Sequence, residues 1–272
     1  MNPDRRAAAP LDRAAILAQL AKLGIQPPQL DVLPEIDSTS RYLLDSEPLA
    51  AGAACLAEAQ PQGRGRRGRA WVTTPYANLM LSLAWRFDRG PGALGGFSLA
   101  AGVAVLEALD AYGVRDAGLK WPNDILWRSR KLAGLLIDID GESSGPSRVV
   151  IGVGINGYVA PEDGAHIDQP WVDLKEISGA MPDRNRLAAL VIERLTVTCR
   201  DYAAEGFARF RADWERRHIF HERAVRLLDG ATVRTGIVAG VDANGALRLR
   251  GDDGREALFH SGDVSLRGNP DE

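Results

Sequence analysis

The chain has 272 residues, 45% of them apolar and 25% charged, with a formal net charge of -3. That is ample for one large core and a smaller one, while two cysteines, Cys55 and Cys199, cannot make a disulfide framework. No apolar run reaches the roughly 18 residues of a membrane span, no signal-peptide core follows Arg5-Arg6, and no broad basic excess marks a polyanion binder. The expectation is therefore a cytoplasmic protein that needs neither membrane nor nucleic acid.

Residues 1–10 are polar and alanine-rich, and Ile16, Leu17, Leu20 and Leu23 then fall at helical spacing before Gly24. One helix ahead of the first core strand is too little for a three-helix DNA reader, so DNA binding is not expected. Val32 to Ile36 reads as a strand ending in Asp37-Ser38-Thr39-Ser40. Asp37 or Ser38 suits the cap of a helix beginning near Arg41, and the same hydroxyls can face a site, because a helix N-terminus is already a polar pocket.

An apolar run, Ala53 to Ala59, leads to Gly63-Arg64-Gly65-Arg66-Arg67-Gly68-Arg69-Ala70-Trp71. Glycine lets the backbone fold tightly, and arginine offers a planar fork of donors for carboxylate or phosphate. The stretch fits G-x-G-x-x-G, but Leu79, Leu81, Leu83 and Trp85 follow with a period of two, a strand where a dinucleotide site requires a helix. From residues alone the loop is either an anion clamp or a solvated basic patch, with the local density of charge favouring a small anion.

Leu99, Val103, Leu106 and Leu109 form a helical stripe to about Tyr112. Lys120-Trp121-Pro122-Asn123-Asp124 then makes a rigid turn that holds Lys120 at its edge, followed by the strand Ile125-Leu126-Trp127. Lys131 opens the buried strand Leu132 to Ile139, in which Gly134 allows close approach to the backbone, and Val149 to Asn156 is a central strand with two glycines. Residues 157–182 read as loop, with His166 and Trp171 as their notable side chains. Helices are predicted from Asp183 and over Phe207 to Arg217, and His218 and His221 beyond them lack further metal ligands nearby. From Val225, Asp229-Gly230, Asn244-Gly245, Asp252-Asp253-Gly254 and Ser261-Gly262 punctuate short strands, which reads as a small all-β unit.

The ordered set Asp37-Ser38-Thr39, Gly63 to Arg69, Lys120 to Asp124, Lys131-Leu132-Ala133-Gly134 and Gly152-Val153-Gly154-Ile155-Asn156 closely resembles biotin protein ligases, over roughly residues 30–268. The resemblance implies an α+β fold. A mixed central β-sheet with packed helices, related to class II synthetases and lipoyl ligases, would be followed by a small C-terminal SH3-like β-barrel. The implied units are an N-terminal extension with one helix over 1–30, a catalytic domain over 31–222 and the barrel over 223–268.

The implied reaction joins biotin and ATP, with Mg2+, into biotinyl-5'-AMP. The biotinyl group then passes to a lysine of a biotin carboxyl carrier protein of acetyl-CoA carboxylase. A lipoyl or octanoyl transferase of the same fold is the alternative. By resemblance the biotin contacts fall on Ser38, Thr39, Ser40, Gln60, Arg64, Gly65, Arg66 and Lys120. The ATP contacts fall on Arg66, Lys120, Asn156 and Trp171, and the catalytic charges are Lys120, Arg64 and Arg66, with no resident metal ligands. Ser40 departs from the asparagine of many members, and the DNA-binding domain of bifunctional members is not expected. A homodimer is compatible with the resemblance. Asp124 is either an orienting group for the acceptor amine or a turn cap.

A biotin carboxylate is ionised at neutral pH, so the first step needs no base. It needs positioning and fixed positive charge, to bring one anion onto the α-phosphate of another.

Overall fold

A computed structural model of the protein describes residues 9–229, 232–260 and 264–268. Helix α1 (Arg13–Lys22) begins where Asp12 accepts from the backbone N–H groups of Ala14 and Ala15, and its buried Ile16 and Leu20 face inward. Strand β1 (Leu30–Leu33) pairs in parallel with β2 (Ala54–Ala57). The strand expected to run to Ile36 stops at Leu33, because Pro34 brings no N–H to the ladder. Helix α2 (Thr39–Leu44) lies between them, capped by Ser38.

After the arginine-glycine loop come β3 (Leu79–Phe87), α3 (Phe97–Tyr112), β4 (Ala117–Lys120), β5 (Asp124–Trp127), β6 (Arg130–Gly141) and β7 (Ser147–Ile155). They form a seven-stranded sheet ordered β1-β2-β3-β7-β6-β5-β4, antiparallel apart from the β1–β2 pair. The segment read as loop over 157–182 contains two short helices, α4 (Pro161–Gly164) and α5 (Leu174–Ser178). They escape a periodicity search because each is about one turn long, shorter than one repeat of a helical apolar stripe. Helix α6 (Arg184–Glu205), capped by Asp183, and α7 (Ala208–Arg217) complete the unit.

Strand periodicity divides the sheet into two faces. Leu79, Leu81, Leu83, Ile151, Val153 and Ile155 join α3, α6 and α1 in one continuous core. The opposite face is covered by α2 at one end only, where Leu43 packs on Cys55, Ala84 and Val150. The rest of that face stays open and becomes the site. Both cysteines are buried, as expected of small hydrophobes.

Strands β8 (Ala224–Asp229), β9 (Thr232–Val241), β10 (Leu247–Arg250), β11 (Glu256–Phe259) and β12 (Val264–Gly268) form a separate antiparallel sheet ordered β11-β10-β9-β8-β12. Asn244-Gly245 and Asp252-Asp253-Gly254 turn as expected, with Gly245 and Gly254 at φ +79° and +75°. The turns expected at Asp229-Gly230 and Ser261-Gly262 lie wholly or partly outside the described residues, as do residues 1–8. Among the described residues no helix is long and apolar enough to cross a membrane.

Candidate active site

The open face of the sheet floors a cavity of about 1080 Å³. Its floor is set by register. Met80, Gly154, Gly134, Asp124 and Lys120 stand opposite one another across β3, β7, β6, β5 and β4, and Ser82, Gly152 and Leu136 make the next row. Three glycines in adjacent places make a trough whose floor carries no side chains of its own, into which the Trp71 ring and the Ser40 hydroxyl reach. A Cβ at Gly154 would lie 2.5 Å from Cε2 of Trp71, one at Gly134 would lie 3.0 Å from Cζ3 of the same ring, and one at Gly152 would lie 2.8 Å from Oγ of Ser40.

All ten residues named from the sequence line this cavity: Ser38, Thr39, Ser40, Gln60, Arg64, Gly65, Arg66, Lys120, Asn156 and Trp171. They fall into groups. At the α2 end, Oε1 of Gln60 accepts from the Thr39 backbone at 2.7 Å and from its hydroxyl at 3.1 Å. Oγ of Ser82 lies 2.7 Å from the Thr39 hydroxyl and 2.9 Å from that of Ser40. Each hydroxyl has one proton, so the donation runs from Ser40 to Ser82 to Thr39 to Gln60. The chain therefore offers a ligand free lone pairs at Ser40 and an amide NH2 at Gln60. Ser38 spends its Oγ on the helix, accepting from Arg41 N–H at 3.3 Å.

The arginine-glycine loop folds as a narrow hairpin. Gly65 N–H donates to Arg69 O at 2.7 Å, Trp71 N–H donates to Gly63 O at 2.9 Å, and a 3-10 turn spans Arg66–Gly68. The hairpin delivers Trp71 onto the glycine floor with its indole N–H buried and unpartnered among the described residues.

Beside that ring stands Lys131, whose Nζ is 5.2 Å from the Trp71 centroid and 2.8 Å from Oδ1 of Asp124. These two side chains are only 16% and 15% exposed. Lys131 reaches this face through a slip in the ladder: Ile125 pairs with Ala133, but Leu126 pairs with Lys131, so β6 carries one extra residue. Leu132 and Ala133 consequently both enter the core, and Lys131 turns to the same side as Gly134. Lys120 ends β4, two strands from Gly134, or about 10 Å at ordinary strand spacing.

Asn156 donates to Lys131 O at 3.2 Å and to Val172 O at 3.1 Å, which ties the end of β6 to the segment bearing Trp171 and leaves its Oδ1 for a ligand. Trp171 bridges to Lys131 through the backbone and packs so closely on Gly164 that a Cβ there would lie 2.3 Å from its ring. Asp138 lines the α2 end, and burial raises its carboxyl pKa while Arg41 opposes that rise. Among the described residues no cluster of three or more His, Cys, Asp or Glu forms a metal cage.

Sequence reasoning overlooked Ser82, Trp71 as a floor-covering ring, and Lys131 as a facing charge. A serine inside the apolar run of β3 was a usable signal, since buried hydroxyls need partners. The strand slip that turns Lys131 inward leaves no mark on the local pattern.

The site is thus a glycine trough on the open face of an α+β sheet, with a hydroxyl chain at one end and a lysine–aspartate pair at the other, an arrangement suited to an elongated acid. The model of the Biotin/lipoate A/B protein ligase family matches residues 32–156, and that of the Biotin protein ligase C terminal domain matches residues 220–267. The chain is 41% identical over 237 residues to the Bifunctional ligase/repressor BirA of Escherichia coli, covering 87% of this chain and 73% of that protein. It is 36% identical to the Biotin--[acetyl-CoA-carboxylase] ligase of Mycobacterium tuberculosis, covering 94% and 95% of the two. Its structure resembles that of the biotin protein ligase from Aquifex aeolicus in complex with biotin and ATP. The TM-score is 0.75, the identity 27%, and the match covers 89% of this chain and 100% of that one. The chain belongs to the biotin protein ligase family.

Proposed function

We propose that this protein activates biotin with ATP as biotinyl-5'-AMP and transfers it to a lysine of a carrier protein, the biotin carboxyl carrier protein of acetyl-CoA carboxylase. The observation that supports it best is the glycine trough of Gly134, Gly152 and Gly154, running from the Ser40–Ser82–Thr39–Gln60 chain to the Lys131–Asp124 pair. A compact bicyclic ligand with a ureido head and a carboxylate tail has N–H donors for Ser40, a carbonyl for Gln60 and an anion for Lys131. A dithiolane ring has no such donors, so the hydroxyl end favours biotin over lipoate.

In the first step a biotin carboxylate oxygen bonds to the α-phosphorus and the bond to pyrophosphate breaks. Fixed cations lower this barrier by sitting where negative charge converges. We assign that role to Lys131 as well as to Lys120, Arg64 and Arg66, because Lys131 is the ammonium that lies against the glycine floor. Lys120, on the edge strand, then serves the phosphate side. Asn156 Oδ1 and Trp171 would face the adenine. Mg2+, if it accompanies ATP, would be held mainly by triphosphate oxygens and water. Single carboxylates such as Asp168 on the cavity wall fit that mode, which needs no all-protein cage. The ion would neutralise phosphate charge. In the second step the neutral acceptor amine bonds to the acyl carbon, the bond from that carbon to AMP breaks, and the amine's proton passes to water. Asp124, opposite Gly134 on the floor, is placed to orient that amine.

The catalytic unit is assigned to 31–222 after the 1–30 extension, and the C-terminal unit to 223–268. An ATP-dependent ligase with two buried free thiols belongs in the cytoplasm. Retardation of double-stranded DNA is not expected, and a sedimentation experiment distinguishes monomer from homodimer. The test is pyrophosphate release by purified protein with ATP, Mg2+ and biotin. Release is expected with biotin and not with lipoate, and preference for lipoate would overturn the assignment.

A further inference from the structure

The C-terminal sheet meets the catalytic unit along β9, where Val238 and Val241 join the common core and Gly240 faces Glu215 of α7, and at one hairpin tip, Asp242-Ala243-Asn244-Gly245-Ala246, between β9 and β10. The tip is internally fixed. Oδ1 of Asp242 accepts from the backbone N–H of Asn244 and of Ala246, both at 2.8 Å, and Gly245 N–H donates to Asp242 O at 3.1 Å. It is also wedged. A Cβ on Gly245 would lie 2.6 Å from Cα of Gly96, at the start of α3, and one on Gly95 would lie 3.1 Å from Asn244. Behind it, Glu215 of α7 accepts from Val241 N–H at 3.1 Å.

The tip carbonyl meets the active-site turn directly. The indole N–H of Trp121, 124 residues away in sequence, donates to Gly245 O at 3.1 Å, and Trp121 is 1% exposed. Trp121 stands between Lys120 and Pro122 in the turn that joins β4 to β5, and that turn ends in Asp124, the partner of Lys131. Strand β4 is the sheet's edge; the His218–Ile219 segment bridges to its Leu119, with Ile219 N–H donating to Leu119 O at 2.9 Å, and the hairpin tip holds the turn beyond it. None of residues 240–246 lines the cavity.

We propose that this hairpin is a positioning clamp: through Gly245 O and Trp121 it fixes the turn that sets Lys120, and the Asp124 partner that holds Lys131, for adenylate formation. The C-terminal sheet thus acts on the chemistry without touching substrate, and Trp121 and Gly245 are positioning residues. The inference rests on the roles assigned above to Lys120, Asp124 and Lys131.

Three variants of the full chain test it. Gly245 and Gly254 both sit at positive φ in hairpins of the same sheet, but a Cβ at Gly254 meets nothing within 4 Å. Gly245→Ala and Gly254→Ala therefore impose similar backbone strain, and only the first disturbs the clamp. Trp121→Phe keeps a large aromatic ring and removes the N–H. We expect Gly245→Ala and Trp121→Phe to lower kcat for pyrophosphate release about tenfold, the scale of a sub-ångström misplacement, with the calorimetric Kd for biotin unchanged. Gly254→Ala should lower Tm and leave kcat as it was.

Equal loss of kcat in the two glycine variants, or a wild-type kcat in Trp121→Phe, would overturn the clamp. If Gly245→Ala fails to fold, Trp121→Phe decides alone. Wild-type release in both Lys131→Ala and Lys120→Ala would instead overturn the reading of the site, which separates the two failures.

Discussion

Trp71 occupies the place where a side chain on the floor would otherwise be. Its ring lies over Gly134 and Gly154 because those two positions carry no Cβ, and the ammonium of Lys131 faces it at 5.2 Å. Two outcomes follow at this scale. Gly154→Val fills the trough from below and should weaken biotin binding at least about tenfold by titration calorimetry, since a filled pocket cannot collapse around its ligand. Lys131→Ala should slow pyrophosphate release about a hundredfold, the usual cost of removing one preorganised charge. A larger loss in Lys120→Ala than in Lys131→Ala, read from the same release assay, would return the principal role to the edge-strand lysine.

The elements matter chiefly through where they stop. Helix α2 begins at Thr39 because Ser38 caps it, and that start aims the Thr39 N–H and hydroxyl at Gln60. Thr39→Val preserves the shape and removes the middle of the hydroxyl chain. It leaves Ser82 with no acceptor at that end and a buried Gln60 oxygen with one donor fewer. Biotin affinity should fall about tenfold or more while the fold persists, as measured by calorimetry and circular dichroism. Strand β6 contributes its irregularity. Had it paired without the slip at Leu126, Lys131 would point into the core, where an unpaired ammonium is costly.

The whole molecule is tied together by buried polar groups remote from the cavity. Arg184 on α6 reaches Glu58 beyond β2 at 2.5 Å, with side-chain exposures of 2% and 4%, and also donates to Ala9 O at 2.6 Å and Asn78 O at 3.2 Å. Glu58→Gln leaves a buried guanidinium with no anionic partner and should cost about 3–5 kcal/mol in urea unfolding.

His218 lies at the junction with the C-terminal sheet, stacked on Trp214 at 4.4 Å, and burial pushes its pKa down to about 3, with His221 and Lys120 adding to the effect. The unfolded chain binds that proton from about pH 6.5, so between about 6.5 and about 3 the unfolded state holds more protons than the folded one. Stability is thus full above this window and declines as pH falls through it, by roughly 5 kcal/mol at most. In His218→Phe that part of the pH dependence of Tm should disappear.

Much of this was legible from residues alone. The cap at Ser38, the helix start at Asp183, the strands around Leu79 and Val149, and the turn residues after Val225 act within a few positions of themselves, so their chemistry can be read locally. The motif residues could be listed too, because glycine, arginine and lysine are chosen for what they do to a ligand. What the linear pattern could not say is which of them meet. Gly134, Gly152 and Gly154 form one floor only because β6 and β7 pair in a particular register, and Lys131 joins it only because that pairing slips. The contact from Trp121 to Gly245 spans 124 residues and depends on how the two sheets dock. Sequence determined the elements, whose causes are local. The tertiary structure decided the site, because register and docking are settled by packing across the whole chain.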